Sequence, residues 1–342
     1  MTSDATTTPV VFPAAPGDGE ETAGLGPWAI AVKRLRRNRA ALGFLALFIL
    51  LVLSTILAPV WANVAGTGPS QNHLSDVISV GGKDTNVVSF DGIPIGPTWG
   101  TKFFLGADSN GRDVAVRLLY GGRNSLIIGL AAALITIVFS VMIGLIAGWF
   151  RGWVDAIISP ALDVLWAFPP LLLGIALGVS LTLGGIDLGI IKLEGGSKVI
   201  PAAIIGVVAI PYLARPIRGQ VLALREKEFV ESARSQGAGS MRIMFSELLP
   251  NLSSTLVVFL PLLIAQAILT ESALSFLGAG VQAPEASWGT MLSDGIKLII
   301  SAPHLTIVPG LMLVLTVLAL NIFGDGVRDA LDPRAKLRLE ES

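Results

Sequence analysis

An all-α integral membrane protein with six transmembrane helices is the fold class this sequence predicts, and three observations predict it. The 342-residue chain is 52% hydrophobic and 14% charged, with a mean hydropathy of +0.72, too apolar for a soluble domain. Its apolar residues gather into uncharged runs near the length that a helix needs to cross a bilayer, about 20 residues or roughly 30 Å. Its charges collect in the segments between those runs.

Taken in order, residues 1–27 are rich in Thr, Pro, Gly and acid without an apolar period, which predicts a disordered cytoplasmic tail. Residues 28–40 form a basic cytoplasmic segment with Lys33, Arg34, Arg36, Arg37 and Arg39. That cluster lies well inside the chain and argues against a cleavable signal peptide. Residues 41–60 are the first span. Residues 61–123 are expected to be an extracytoplasmic loop with a short hairpin in its Gly-rich part and an interfacial helix at its end. Over 112–125 this helix would lay Val114, Leu118 and Leu119 on the membrane and turn Arg112, Asp113 and Arg117 to water.

The region 124–324 carries the other five spans. The second covers 124–150, and the third covers 157–181 with a kink at Pro169 and Pro170. The fourth, 199–214, is interrupted by Pro201 and Pro211. The fifth covers 252–274 and the sixth 304–323. Residues 276–302 are too punctuated to cross and predict a short interfacial or re-entrant helix around 288–300. Residues 325–342 read as a cytoplasmic tail. Asp163 and Glu271 are acids within spans, placed near span ends where they would reach water or a partner subunit as gate or interface residues.

Between the fourth and fifth spans, residues 226–251 form a polar island with an internal pattern. Leu222, Phe229, Val230 and Ala233 can share one side of a short helix. Gly237 and Gly239 break it, and Met241, Met244, Phe245 and Leu248 recur at helical spacing in a second helix. Ser240 suits the N-cap of that second helix, and Pro250 restricts Leu249 before the next apolar run. Two short helices meeting at a glycine elbow are expected. Charge bias puts the elbow inside: with a cytoplasmic N-terminus, inside segments hold sixteen of the 24 Lys and Arg residues.

Composition removes several classes of function. Without Cys there is no disulfide or thiolate metal site, and His73 and His304 are too isolated to form a metal cluster. The net charge of −1 gives no support to a nucleic-acid partner. No phosphate-binding G-x-x-x-x-G-K-[ST] occurs, since Gly82-Lys83-Asp84 lacks both the upstream Gly and the Ser or Thr. No cofactor is therefore expected in this chain, and energy for pumping must come from another one. An ion-gradient-driven secondary transporter is the alternative. It needs ionisable groups near the midplane and commonly shows internal repeats, neither of which the spans display. A membrane-embedded enzyme needs a His, Cys or acidic cluster at catalytic spacing, which is also missing.

The island resembles the "EAA" loop of ATP-binding-cassette (ABC) importer permeases, which reads EAA, three residues, G, nine residues, then I-x-L-P. Glu231, Ala233, Gly237, Leu249 and Pro250 fit it, with Ser232 at the second position, in place of Ala, and Glu247 for the Ile. Further stretches resemble the C-type subunit of the dipeptide, oligopeptide and nickel importer branch. Leu105, Gly106, Asp108, Gly111, Arg112, Asp113 and Arg117 fit LGTDxxGRDVxSRL, Gly152, Trp153 and Asp155 fit GGWxD, and Asp163, Phe168, Pro169, Leu171 and Leu172 fit D…FPxLLL. Glu271, Ser272, Leu274, Ser275, Ser287, Trp288 and Gly289 fit ESxLSFLGLG…PxxSWGxML. Asn321, Gly324, Asp325, Arg328 and Asp329 open the motif NxxGDxLRDxLDPR.

The resemblance runs from about residue 30 to residue 334. It implies an ABC importer type I permease fold in the inner membrane with both termini cytoplasmic. It also implies assembly with a second homologous permease, two cytoplasmic ATPases that bind ATP and Mg, and an extracytoplasmic solute-binding protein. Glu231, Ser232, Ala233, Gly237, Ala238, Leu249 and Pro250 are then the ATPase-coupling residues. Dipeptides, longer peptides, nickel chelates and related solutes all fit the branch.

Overall fold

A helix satisfies its own backbone hydrogen bonds where no water is available, and the apolar runs of this chain form helices. The computed structural model describes residues 26–332 apart from 188, 190 and 191. Most of the predicted N-terminal tail, and residues 333–342 of the predicted C-terminal tail, lie outside the described residues. In chain order the helices are α1 (Pro27–Arg37), α2 (Arg39–Ile56), α3 (Ala58–Ala65), α4 (Val114–Phe150), α5 (Gly152–Ala167) and α6 (Pro170–Gly184). They continue with α7 (Val199–Val208), α8 (Ile210–Leu224), α9 (Glu228–Ser235), α10 (Ser240–Phe276), α11 (Trp288–Ile296) and α12 (His304–Leu331). Among the described residues α2, α4, α10 and α12 are each long and apolar enough to cross a membrane. The bent pairs α5–α6 and α7–α8 bring the crossings to six if each pair is one span.

Proline sets both bends. Phe168 and Pro169 each precede a proline and are extended, with ψ of 133° and 120°, so α5 and α6 meet at 85°. Pro211, at the start of α8, has no N–H to continue the ladder of α7, and these two helices meet at 43°. Pro201 does not interrupt the fourth span as the sequence predicted. It lies in the first turn of α7, where the missing N–H would have no intrahelical partner. The fourth span also runs on to Leu224, ten residues beyond its predicted end.

The interfacial helix expected over 112–125 does not form. Residues 114–125 are instead the first turns of α4, a single helix of 37 residues with Asp113 as its N-cap. Arg112, Asp113 and Arg117 are buried rather than turned to water. A compact outer lobe covers them. In it, β1 (Val77–Val80) pairs antiparallel with β2 (Lys83–Asn86), the predicted hairpin, and Val87, Phe103 and Ala107 form a small apolar core. Gly81 and Gly82 make the two-residue turn with φ of 61° and 80°, a conformation that glycine adopts without strain.

Every buried charge in the lobe has a partner. Asp113 caps α4: its carboxylate accepts from the N–H groups of Val116 at 3.1 Å and Phe103 at 2.6 Å. Burial pushes this carboxyl above the usual carboxylate range, and the two N–H donors oppose that rise. Asp108 accepts from Arg112 Nε at 2.7 Å and pairs with Arg117 Nε at 3.2 Å. Arg117 also donates to the Pro69 carbonyl, and Arg112 lies 3.5 Å from Asp294 of α11.

Helix packing relies on close approach. A methyl group at Gly144 would lie 2.6 Å from Ile217 Cγ2, and one at Gly148 would lie 2.7 Å from Val221 Cβ, so these glycines let α4 and α8 touch. At the other end of the chain, α12 continues to Leu331 and therefore overruns the predicted start of the tail at 325. Val327 and Ala330 are buried, and α12 packs along α1 and α2, so residues 325–331 gain contacts as a helix.

Two outcomes test this packing. Gly144→Val should destabilise the chain by about 1–3 kcal/mol through overpacking. Gly219→Ala, whose added methyl meets nothing within 4 Å, should leave it unchanged or slightly more stable, as read by thermal melting of the purified chain. Asp108→Ala leaves two buried guanidinium groups without their shared carboxylate and should cost about 3–5 kcal/mol. Asp163→Ala, which removes the exposed partner of Arg215, should cost under about 1 kcal/mol in the same measurement.

Candidate functional site

The polar island folds as the sequence predicts in its first half and differently in its second. Helix α9 ends at Ser235, Gly237 adopts φ of 80°, the Gly237 N–H donates to the Arg234 carbonyl at 2.9 Å, and the Ala238 N–H reaches back to the Ala233 carbonyl at 3.0 Å. This is a Schellman ending, in which a left-handed glycine lets two N–H groups satisfy the last carbonyls of the helix. The motif spacing thereby acquires a physical reason. Ala233 and Ala238 pack on the same apolar cluster across the turn, and Gly237 sits where a side chain would strain the backbone.

The second helix is not separate. Ser240 is its first residue, not its cap, because Gly239 occupies the N-cap with an extended backbone. From Ser240 the helix runs without a break through Leu249 and Pro250 into the fifth span. Residues Ile243–Leu248 are π-helical, and the Leu249 N–H donates to the Met244 carbonyl five residues back. The wider turn accommodates Pro250, which would otherwise clash with a carbonyl and end the helix.

The elbow has an attached face and an open face. Val230, Ile243, Met244 and Leu248 are buried in one cluster with Trp149, Leu213, Ile217 and Val221 of α4 and α8. Arg234 lies over the Trp149 ring at 4.7 Å, and Arg225 donates to the Trp149 carbonyl at 2.6 Å. On the open face, Glu231, Ser232, Gly237 and Pro250 are exposed beside Met241 and Phe245, which are 63% and 51% exposed. The expected Met241, Met244, Phe245 and Leu248 stripe is therefore split between the two faces.

Of the predicted gate or interface residues, Arg112, Asp113 and Arg117 belong to the buried outer cluster. Glu271 is fully buried and does not reach water, contrary to its expected place. Its carboxyl accepts hydrogen bonds from Ser125 of α4 at 2.7 Å and Ser275 at 2.6 Å. Those hydroxyls in turn accept from the N–H groups of Trp288 and Val281. One side chain thus ties α4, α10 and α11 together. Asp163 is exposed on α5 and accepts from Arg215 of α8 at 2.7 Å, and the same guanidinium lies 5.3 Å from the Trp166 ring centroid. Asp163 and Glu271 are not brought together.

A cavity of about 480 Å3 lies between α4, α5, α6, α7, α8, α10 and α12, with Trp166, Tyr212, Leu262, Gln266, Thr270 and Asn321 among its walls. Sequence reasoning missed Gln266 as a site residue. Its signal was a lone carboxamide in the apolar run 256–269.

Two family descriptions match the chain. Residues 140–337 match "Binding-protein-dependent transport system inner membrane component", and residues 26–75 match "N-terminal TM domain of oligopeptide transport permease C". The chain is 36% identical to the dipeptide transport system permease protein DppC of Alkalihalophilus pseudofirmus, over 95% of each chain. It is 36% identical to the glutathione transport system permease protein GsiD of Pectobacterium atrosepticum, over 91% of this chain and 92% of that one. It is 35% identical to the oligopeptide transport system permease protein OppC of Bacillus subtilis, over 94% of each. A solved structure of the MetNI methionine ABC transporter, inward facing, covers 63% of this chain and 96% of its own, at 18% identity and a TM-score of 0.49. With matches over nearly its whole length, the chain belongs to the family of binding-protein-dependent transport system inner membrane components, the multi-pass permeases of ABC importers.

Proposed function

We propose that this chain is one of two homologous permease subunits of an ATP-driven importer of peptides, and that the elbow over α9 and the start of α10 is where a cytoplasmic ATPase acts on it. The observation that carries this reading is the two-faced elbow. One face is fixed by buried residues to α4 and α8, while the other presents Glu231, Ser232, Met241 and Phe245 with no covering element among the described residues. Exposed Met and Phe beside charged groups suit a protein contact, in which a few large side chains carry most of the binding energy.

In this reading the elbow and both termini are cytoplasmic, in keeping with the Lys and Arg bias. The outer lobe faces an extracytoplasmic solute-binding protein, and the two ATPase subunits hold ATP and Mg. Closure of the ATPases moves the elbows, α10 moves with them because it is continuous with the elbow, and the cavity opens alternately to the two sides. The peptide assignment is supported by relatives named for dipeptide and oligopeptide transport, the glutathione permease being named for a tripeptide.

The test is to tag the chain, extract it gently from its native membrane and identify its companions. The unaltered chain should bring down a second permease and an ATPase pair. Met241→Asp with Phe245→Asp, which alters only exposed side chains, should keep the second permease and lower ATPase recovery about tenfold or more, the loss that 1.4 kcal/mol of contact energy produces. Recovery of the chain alone, or equal ATPase recovery with both substitutions, would overturn the coupling role.

A further inference from the structure

Two carboxamides in the membrane-spanning helices have no hydrogen-bond partner among the described residues. Gln266 on α10 and Asn321 on α12 both line the cavity, and neither side chain is bonded to a described residue. Gln266 is exposed and Asn321 half-buried, so both amides are open to the cavity space. Beside them the Thr270 hydroxyl gives its proton to the Gln266 backbone carbonyl at 2.8 Å and keeps its lone pairs free. None of the side chains lining the cavity is charged.

Polar side chains in membrane helices are costly unless they meet a partner or line a wet route. The volume of about 480 Å3 is within the usual range for a small-molecule site. A carboxamide presents a donor and an acceptor in one plane, which is the complement of the C=O and N–H of a peptide group. The walls offer no carboxylate, imidazole or thiolate to a metal cation, and no fixed charge to a charged side chain.

We propose that Gln266 and Asn321 form a binding site for the backbone amides of the cargo, so that peptides pass by their shared peptide group rather than by side-chain charge. The site rests on the peptide-importer reading and adds to it the residues that select an amide-bearing solute.

The test uses the assembled importer with its solute-binding protein in proteoliposomes, comparing the unaltered chain with Gln266→Leu, Asn321→Leu and the double variant. The probes are alanine peptides of two to five residues and their ester-linked counterparts, which lack the backbone N–H. The binding protein is the same in every case, so a change in the amide-to-ester uptake ratio reports the permease alone. The leucine variants should assemble normally, lose amide-peptide uptake about tenfold, as expected for 1.4 kcal/mol of lost binding, and change ester uptake far less. Gln266→Asn should restore part of the loss. An unchanged ratio in an intact complex overturns the proposal. So does loss of the second permease from the leucine variants, because the amides would then be serving the subunit interface. If the unaltered importer takes up none of these peptides with ATP, the peptide-importer reading itself fails and takes this site with it.

Discussion

Polar groups held away from water must find their partners inside the protein, and this requirement organises the outer end of the molecule. Glu271 is fully buried and is satisfied by hydroxyls from two helices, which are themselves satisfied by backbone N–H groups of the segment around α11. Asp108 does the same for Arg112 and Arg117. Breaking either set leaves a buried charge or donor unpaired, a penalty larger than most single packing contacts. The outer ends of α4 and α10 and the helix α11 are therefore joined as one unit.

The end that carries the elbow is joined by different forces. There the elbow is fixed to α4 by apolar burial, by two guanidinium groups near Trp149 and by the carbonyl of Trp149 itself. Helix α4, about 55 Å long at 1.5 Å per residue, connects the two ends as a strut. The elbow, in contrast, is continuous with α10 and only three residues from α8. Tyr212 of α8 and Gln266 of α10 are both walls of the cavity. A force on the elbow is thus applied to two walls of the cavity, while α4, a third wall through Thr136, keeps its attachments at Ser125.

Much of this was legible in the sequence, for identifiable reasons. Uncharged runs such as 124–150 specify helices because only helices and closed barrels satisfy backbone groups in lipid, and a barrel strand is far shorter and alternates apolar with polar residues. Gly237 marked the elbow because a left-handed helix ending favours glycine. Arg112 and Arg117 were misread because a charge at a span end looks the same in sequence whether it faces water or a folded lobe. Only the tertiary placement of Pro69, Asp108 and Asp294 distinguishes the two. Pro250 was misread because proline ends most helices, and nothing local in the sequence announces the π-helical turn that accommodates it here. Glu271 was placed near water by its distance from the span end, but its burial depends on Ser125, some 146 positions away.

The contrast between the two acids in the spans bears on how the cavity works. Glu271 has no exposed surface and holds helices together, whereas Asp163 and Arg215 are paired on an exposed face where such a pair contributes little stability. An ion pair that contributes little to the fold is also cheap to open, and Arg215 is held beside Trp166, a wall of the cavity. Tyr212 stacks on the same ring, with centroids 6.4 Å apart, and meets Phe259 edge-on at 6.1 Å. The uncharged cavity is thereby bordered by an aromatic ledge with charges behind it. Rearrangement of this ledge requires only exposed contacts to break, while the buried Glu271 network stays intact, so the molecule can change shape at the cavity without losing the order of its outer end.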